Sequence, residues 1–280
     1  MSMEPRMNRL FAADGKCIQI ALDHALSNEY GLLAGVENLR EVLRRVVDAG
    51  VEGVLLSPGS ARHLQSMRTD RKPALVMRAD VGNLYEKRRP EYGFCRLIEA
   101  PVERALRLDA AAVLLNLFHV PDNPAVYEQC LENIARVKAD CEDYGMPLVV
   151  EPLVLVRDET GHRYTLSGDS ELLLPLHRQA VELGADVIKA DPTNNVAEYR
   201  RFVEMAGGVP LLPRGGAKVG TGEILRRTHT MIQAGVAGVV YGRNVFQHED
   251  LPGMVRALRA IIHEGAQPED AARLVRGGGP

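Results

Sequence analysis

Eight short runs of apolar, β-prone residues recur along the chain, and longer stretches of mixed character separate them. The runs are almost continuously apolar, which is typical of strands that are buried on both faces of a parallel sheet. We therefore predict eight strands, over residues 17–23, 53–57, 74–79, 111–118, 148–153, 186–190, 209–213 and 238–242.

Apolar residues at helical spacing fill the stretches between these runs. The clearest stripe consists of Val126, Cys130, Ile134, Val137 and Cys141. Similar stripes lie within residues 36–47, 173–181, 224–232 and 255–262. Glycines suited to a left-handed helix end follow several helices, at positions 50, 145, 184, 207 and 235. Strands and helices therefore alternate along the whole chain.

One join between a helix and a strand is repeated, since Ala49-Gly-Val-Glu-Gly-Val54 resembles Ala234-Gly-Val-Ala-Gly-Val239. Eight strand–helix units in 280 residues predict an α/β fold, a single (β/α)8 TIM barrel. A doubly wound open sheet is the alternative. That fold usually carries a glycine-rich loop after its first strand, whereas Asp23 and His24 follow the first strand here.

We assign residues 1–280 to this one barrel domain, with residues 1–14 as a peripheral N-terminal segment and residues 267–280 as a C-terminal tail. The tail is polar and ends in Gly-Gly-Gly-Pro, so we expect its last residues to be mobile. Residues 30–35 and 158–168 are predicted to be the longer loops, and the second of them is a candidate lid.

Composition narrows the class of function. A formal net charge of −3, with 46% hydrophobic and 25% charged residues, predicts a soluble domain with no nucleic-acid partner. We expect neither a signal peptide nor a membrane partner, because no apolar stretch is long enough. The four cysteines form no C-x-x-C pair, so we expect reduced thiols and a cytoplasmic location. The spacing of the histidines predicts no metal site.

Lys189 lies near the end of the sixth predicted strand, in a segment that should be buried. Desolvation disfavours the charged form of a lysine, and a neutral amine is a nucleophile that can form a Schiff base with a carbonyl. The alternative is a lysine that reaches solvent or pairs with Asp186 or Asp191. The segment alone leaves the two interpretations about equal.

Two carboxylates at strand ends are candidates for proton transfer and substrate binding. Glu151 lies inside an apolar strand next to that of Lys189, so we expect burial to raise its pKa toward neutrality. A structural ion pair is the alternative. Asp23 shares a strand face with Gln19 and Ala21, which are typical of barrel interiors, and it is expected to bind a substrate hydroxyl or orient Lys189. Its alternative is a cap for the following loop.

The seventh and eighth predicted strands end in glycines, where this fold often binds phosphate. Gly215, Gly216 and Gly242 allow backbone N–H groups to approach an anion, and Arg243 adds a guanidinium. Simple tight turns are the alternative. Arg214 and His24 lie at the same rim and are also predicted to bind substrate.

Four other polar residues near strand ends have no role that the sequence alone can assign. They are Arg78, Asp80, His119 and Lys218. Lys218 is the rival nucleophile, but it lies past the Gly-Gly turn, where we expect it to be in solvent or near the phosphate. Burial is what activates an amine, so Lys189 is the favoured candidate.

Four segments carry a family resemblance: Ala21-Leu-Asp-His24, Ala185-Asp-Val-Ile-Lys189, Arg214-Gly-Gly216 and Gly238-Val-Val-Tyr-Gly-Arg-Asn-Val-Phe-Gln247. With them the chain resembles the class I aldolases of the DhnA-type fructose-bisphosphate aldolase and DeoC/LacD superfamily. The resemblance implies a Schiff base at Lys189, a contact from Asp23, and phosphate binding at Gly215–Gly216 and Gly242–Arg243. It also implies cleavage or formation of a carbon–carbon bond in a phosphorylated ketose, without metal or cofactor, and a homo-oligomer.

Glu151 departs from the archaeal-type fructose-bisphosphate aldolases, which carry a catalytic tyrosine at the end of this strand. It resembles the glutamate of tagatose-bisphosphate and sulfosugar-phosphate aldolases. Our hypothesis is therefore a Schiff-base aldolase with Lys189, Glu151 and Asp23 as catalytic residues. A thiolase-like acyl-transfer enzyme on a phosphorylated diketone is the nearer alternative. A non-catalytic protein that binds sugar phosphates is the more distant one.

Overall fold

The computed structural model describes residues 2–27, 33–86, 88 and 90–276. Its strands are β1 (Cys17–Ala21), β2 (Gly53–Leu56), β3 (Ala74–Arg78), β4 (Asp80–Gly82), β5 (Cys95–Leu97), β6 (Ala112–His119), β7 (Leu148–Arg157), β8 (Tyr164–Leu166), β9 (Val187–Ala190), β10 (Leu211–Pro213) and β11 (Gly238–Tyr241). Its helices are α1 (Glu4–Leu10), α2 (Leu39–Asp48), α3 (Pro58–Gln65), α4 (Pro101–Arg107), α5 (Pro124–Tyr144), α6 (Ser170–Glu182), α7 (Tyr199–Ala206), α8 (Thr221–Gln233), α9 (Arg243–Phe246), α10 (Leu251–Glu264) and α11 (Pro268–Ala272).

Eight parallel strands form the central sheet, in the order β10, β9, β7, β6, β3, β2, β1 and β11. A bridge between Arg214 and Val240 brings the end of β10 to β11, so the sheet forms a nearly closed barrel. Helices lie between successive strands. The prediction of a (β/α)8 barrel is therefore confirmed, and each of the eight predicted strands corresponds to one barrel strand.

Side chains on the barrel strands alternate between two apolar clusters. On β1, Ile18 and Ile20 belong to the larger cluster with the surrounding helices, whereas Cys17 and Ala21 belong to the barrel interior. This alternation follows from the two-residue period of a strand. Leu10 of α1 is fully buried in the interior cluster, so α1 packs against the barrel from the amino-terminal side of β1.

The surrounding helices follow the predicted apolar stripes. In α5 the buried residues are Val126, Cys130, Ile134, Val137 and Cys141, which are the five predicted ones. The helix ends at Gly145, whose φ of 59° is left-handed and whose N–H bonds to the Cys141 carbonyl. All four cysteines are buried and free. None of the described helices is both long and apolar enough to cross a bilayer.

Two hairpins extend the barrel beyond the predicted elements. Strand β7 continues to Arg157 and pairs antiparallel with β8, so the prediction of a loop over residues 158–168 is wrong for residues 164–166. Strands β4 and β5 form a second antiparallel hairpin after β3, which was not predicted. Residues 30–32 of the other predicted loop and residues 277–280 of the predicted tail lie outside the described residues.

Candidate active site

The carboxyl ends of the barrel strands surround one polar cavity. Seven strands each place a residue there, and each residue stands two positions after an apolar residue of the barrel interior. The pairs are Ala21 and Asp23, Val76 and Arg78, Leu114 and Asn116, Val149 and Glu151, Val187 and Lys189, Leu212 and Arg214, and Val240 and Gly242. Because side chains two positions apart share a strand face, these residues form the uppermost layer of the barrel interior.

Lys189 faces this cavity and is buried, with 5% of its surface exposed. Its Nζ lies 3.0 Å from Oε2 of Glu151. The two side chains meet because β7 and β9 are neighbours in the barrel. Neither of the two aspartates that the sequence suggested as partners of Lys189 forms an ion pair with it. Asp186 pairs with Lys138 at 3.3 Å, and Asp191 pairs with Arg214 at 2.5 Å.

Arg78 lines the cavity and connects three carboxylates, of which Asp23 and Glu151 also line it. Its Nε donates to Oδ2 of Asp23 at 2.7 Å, and its Nη2 donates to Oε2 of Glu151 at 2.9 Å. Its Nη1 lies 3.5 Å from Oδ1 of Asp80. Only 4% of the Arg78 side chain is exposed, so these contacts replace its hydration. Asp80 also accepts hydrogen bonds from the backbone N–H and the side-chain amide of Asn116, at 2.6 and 3.0 Å.

The cations in this cluster decide how its carboxylates ionise. Burial alone acts to raise the pKa of Glu151, but Lys189, Arg78 and Arg214 outweigh burial and lower that pKa to about 2. The sequence-based expectation of a pKa near neutrality is therefore wrong. Burial also acts to raise the pKa of Asp23, and the charges of Arg78 and Lys189 reverse it, so the Asp23 pKa is lowered.

Asp80 behaves differently from the two carboxylates above it. Burial raises its pKa, and neither the charge of Arg78 nor the hydrogen bond from Asn116 reverses that effect. Asp80 does not line the cavity. It therefore supports Arg78 from below and is not placed to contact a substrate.

The glycine-rich rim lies between the ends of β10 and β11. Arg243 donates from Nη2 to the carbonyl of Gly216 at 3.0 Å. Asn244 donates to the carbonyls of Gly215 and Ala217, at 3.0 and 3.1 Å. These bonds connect the loop after β10 to the start of α9. The loop after β10 and the start of α9 therefore lie side by side, and they contain the glycines that the sequence predicts to bind phosphate.

Close packing explains why glycine occupies this rim. A Cβ on Gly242 would lie 2.9 Å from Nε2 of His24, and a Cβ on Gly216, whose φ is +63°, would lie 2.9 Å from Cγ of Pro192. His24 lines the cavity and packs edge-on against Phe246, with 5.4 Å between the ring centroids. Burial lowers the pKa of His24 to about 4, so the ring is neutral at physiological pH.

Arg214 lines the cavity from β10. Its Nε donates to Oδ1 of Asp191 at 2.5 Å, so the paired carboxylate fixes one edge of the guanidinium. Burial raises the pKa of Asp191 to about 6, although the Arg214 charge opposes that effect. The hydroxyl of Tyr199 donates to the backbone carbonyl of Asp191 at 2.6 Å, which holds this segment in place.

Two candidates lie away from the cavity. Lys218 is exposed, and its Nζ donates to the Gln247 carbonyl at 3.0 Å. His119 packs against Tyr127 on the outer side, with 5.3 Å between the ring centroids. Sequence reasoning missed two lining residues, Ser27 and Tyr85. Ser27 ends a short 3-10 helix after β1 and Tyr85 lies in a turn, and no pattern along the chain identifies either of them. Within residues 2–27, 33–86, 88 and 90–276, no group of three or more His, Cys, Asp or Glu side chains is arranged to hold a metal.

Comparisons with known proteins identify the family of the chain. The sequence profile described as DeoC/LacD family aldolase matches residues 17–248. An uncharacterized aldolase of Saccharolobus solfataricus is 31% identical over 277 residues, which is 98% of each chain. The class 1 fructose-bisphosphate aldolase of Thermoproteus tenax is 30% identical over 263 residues, covering 92% of this chain and 93% of the relative.

A solved structure is similar as well. It is an archaeal fructose-1,6-bisphosphate aldolase with its catalytic lysine covalently bound to the carbinolamine intermediate of the substrate. The TM-score is 0.76 at 26% identity, over 94% of this chain and all of the other. On the profile match and these relatives, the chain belongs to the DeoC/LacD family of aldolases and is a lyase of the class I, Schiff-base type.

Proposed function

We propose that this enzyme is a metal-independent aldolase that cleaves or forms a carbon–carbon bond in a phosphorylated ketose through a Schiff base on Lys189. The observation that carries this proposal is the pairing of Lys189 with Glu151 at 3.0 Å inside a polar cavity at the carboxyl ends of the strands. An amine and a carboxylate in contact can exchange the proton that the reaction must move.

The first step is attack on the ketone. The Lys189 ammonium gives a proton to Glu151, and the neutral amine adds to the carbonyl carbon to form a carbinolamine. Glu151 returns its proton to the carbinolamine hydroxyl, which leaves as water, so that Lys189 carries a protonated imine and Glu151 is again a carboxylate. The positive charge of Lys189 is one of the two leading causes of the low pKa of Glu151, so the carboxylate becomes a stronger base when Lys189 is neutral.

Bond cleavage follows from the imine. The protonated imine accepts the electron pair of the bond one carbon away and becomes an enamine. The hydroxyl on the departing carbon loses its proton to Glu151 and leaves as an aldehyde. Protonation of the enamine carbon and hydrolysis of the imine then release the second product and restore Lys189. Asp23, fixed by Arg78 at 2.7 Å, is placed to hold a substrate hydroxyl during these steps.

Binding of the substrate's phosphate group, away from the reacting bond, orients the substrate in the cavity. The backbone at Gly215, Gly216 and Gly242, with Arg243 and Arg214, forms a cationic rim that suits a phosphate group. His24 is neutral and lies beside Gly242, so it is placed to hydrogen-bond a phosphate or a hydroxyl. Anchoring the phosphate holds the carbonyl near Lys189 and reduces the entropic cost of the attack.

We also propose that the enzyme is a cytoplasmic homo-oligomer that uses no cofactor and has no nucleic-acid or membrane partner. The relatives from Saccharolobus solfataricus and Thermoproteus tenax are aldolases, which supports the proposed reaction. The glutamate of β7 supports a ketose other than fructose 1,6-bisphosphate as the preferred substrate.

The test is turnover of a panel of phosphorylated ketoses in the presence of a chelator. Lys189→Met should abolish aldehyde release, and Lys218→Met should leave it unchanged, because Lys218 lies outside the cavity. Comparable turnover by Lys189→Met would rule out the proposed mechanism. Products that appear only with coenzyme A would instead identify the acyl-transfer activity, and binding without turnover would identify a sugar-phosphate-binding protein.

A further inference from the structure

We propose that Arg78 is a positioning residue, which holds Glu151 and Asp23 beside Lys189 and keeps a positive charge next to Glu151 while the charge on Lys189 changes during the reaction. This inference rests on the function proposed above, because it assigns Arg78 to the same reaction. Neither the sequence pattern nor the phosphate rim gives Arg78 a role.

The geometry supports this role through the separate use of three guanidinium nitrogens. Nε contacts Asp23, Nη2 contacts Glu151 and Nη1 faces Asp80. In the sheet β6 separates β3 from β7, so Arg78 reaches Glu151 across the barrel interior instead of from a neighbouring strand. A planar fork with fixed angles can hold carboxylates from different strands at set positions, which a lysine cannot do.

Glu151 is held from two sides, by Lys189, whose Nζ lies 3.0 Å from both carboxylate oxygens, and by Arg78. Its Oε2 accepts from Nζ of Lys189 at 3.0 Å and from Nη2 of Arg78 at 2.9 Å. During the reaction Lys189 passes from an ammonium through a neutral carbinolamine to a protonated imine and a neutral enamine, so its charge and its contact with Glu151 change. Arg78 remains charged throughout, because a guanidinium does not lose its proton at physiological pH. Arg78 is therefore the constant partner of the carboxylate.

Asp80 fixes Arg78 in turn. Its Oδ2 accepts from the backbone N–H of Asn116 at 2.6 Å, and the Cys95 thiol lies 3.4 Å from the same oxygen. Asp80 is thus connected to β6 and to the β4–β5 hairpin, and it is 1% exposed. This arrangement leaves the Arg78 side chain little freedom to turn away from the cavity.

Loss of the Arg78 charge should change the pH dependence of turnover. Without the guanidinium, Glu151 in the enzyme–substrate complex has lost its constant cation, and its pKa should rise by about 1–3 units. The protonated carboxyl cannot accept a proton, so kcat should fall on the acidic side at a higher pH than in the wild type. Misplacement of Glu151 should also lower the maximum kcat by about 10²-fold.

The experiment compares kcat and KM across pH for the wild type, Arg78→Met and Arg78→Lys, with Arg62→Met as a matched control on the exposed face of α3. We expect Arg78→Met to lower kcat and move its acidic limb upward. Arg78→Lys keeps the charge but loses the fork, so it should lower kcat and leave the limb in place. KM for the phosphorylated substrate should change little in either variant, because the phosphate rim is built at the ends of β10 and β11, whereas Arg78 ends β3.

The outcomes separate two possible failures. If Lys189→Met retains turnover, the proposed function is wrong, whatever Arg78 does. If Lys189→Met is inactive but both Arg78 variants keep the wild-type kcat and acidic limb, only the inference about Arg78 is overturned. A structural role alone would lower the yield of folded protein without moving the limb. If Arg78→Met does not fold, Arg78→Lys decides, since unchanged kcat in that variant contradicts the positioning role.

Discussion

Glu151→Gln offers a quantitative test of the charge cluster. The substitution keeps the size of the side chain and removes the charge that faces Lys189 and Arg78. Folding lowers the pKa of Glu151 from 4.5 to about 2, and the side chain is 2% exposed, so solvent screens these contacts little. That lowering corresponds to about 3 kcal/mol of stability in favour of the ionised form.

The dependence of this stabilisation on pH has a definite sign. A carboxylate whose pKa is lowered on folding stabilises the protein above its unfolded pKa, here near 4.5, and the stabilisation is lost as pH falls toward about 2. The wild type should therefore exceed Glu151→Gln in unfolding free energy by about 3 kcal/mol at neutral pH. The difference should stay constant down to pH 5 and decrease below it.

Urea unfolding at a series of pH values measures this difference. Glu159→Gln is the matched control, since Glu159 is exposed in the turn between β7 and β8, and its effect should be within about 0.5 kcal/mol. The reasoning is refuted if Glu151→Gln equals or exceeds the wild type in stability at neutral pH. It is also refuted if the difference grows as pH falls from 7 to 5, because that slope belongs to a carboxyl whose pKa is raised. Turnover by Glu151→Gln should fall by about 10²–10⁴-fold.

Three further predictions concern the phosphate rim and the opposite end of the barrel. Asp191→Asn removes the charge that fixes Arg214, so KM for a phosphorylated substrate should rise by about tenfold with kcat retained. In wild-type enzyme, KM should decrease as pH rises through about 6, because Asp191 ionises there. The variant should lack this pH dependence of KM. Gly242→Ala places a methyl group 2.9 Å from His24, so it should raise KM for phosphorylated substrates in steady-state assays while Gly220→Ala, which meets no neighbour within 4 Å, should not. The pKa of His263 is raised by the neighbouring carboxylates of Glu52, 3.6 Å from its Nε2, and of Asp14, 2.9 Å from its Nδ1. Its stabilising charge is fully present below about 6.5 and is lost as pH rises through the higher folded pKa, so the stability difference between the wild type and His263→Gln should narrow from pH 6 to pH 8.

Much of the fold could be predicted because barrel strands are buried on both faces. Continuous apolar runs mark such strands, and the helices between them carry apolar stripes at a different period. The apolar pattern does not predict where a strand continues beyond the barrel. Residues 154–157 extend β7 into a hairpin with β8, and that pairing depends on a partner segment, residues 164–166, that is too short to show a period.

Much of the cavity lining could also be predicted, because polar residues and glycines at the ends of predicted barrel strands meet at one mouth of the barrel. The pKa values of these residues could not be predicted from the sequence. The sequence shows that Glu151 is buried, but the low pKa depends on Lys189 and Arg78. Arg78 comes from a strand that is not adjacent to β7, and its reach across the interior cannot be inferred from spacing along the chain. For the same reason the sequence assigned no role to Arg78.

Covalent trapping on Lys189 tests the central claim most directly. The enzyme is incubated with a phosphorylated ketose and borohydride, digested, and analysed by mass spectrometry. Reduction of a Schiff base leaves a stable secondary amine, so the account predicts a substrate-dependent mass increase on the peptide that contains Lys189, with loss of activity in proportion. A label on Lys218, or full activity after reduction with no label on Lys189, would contradict it.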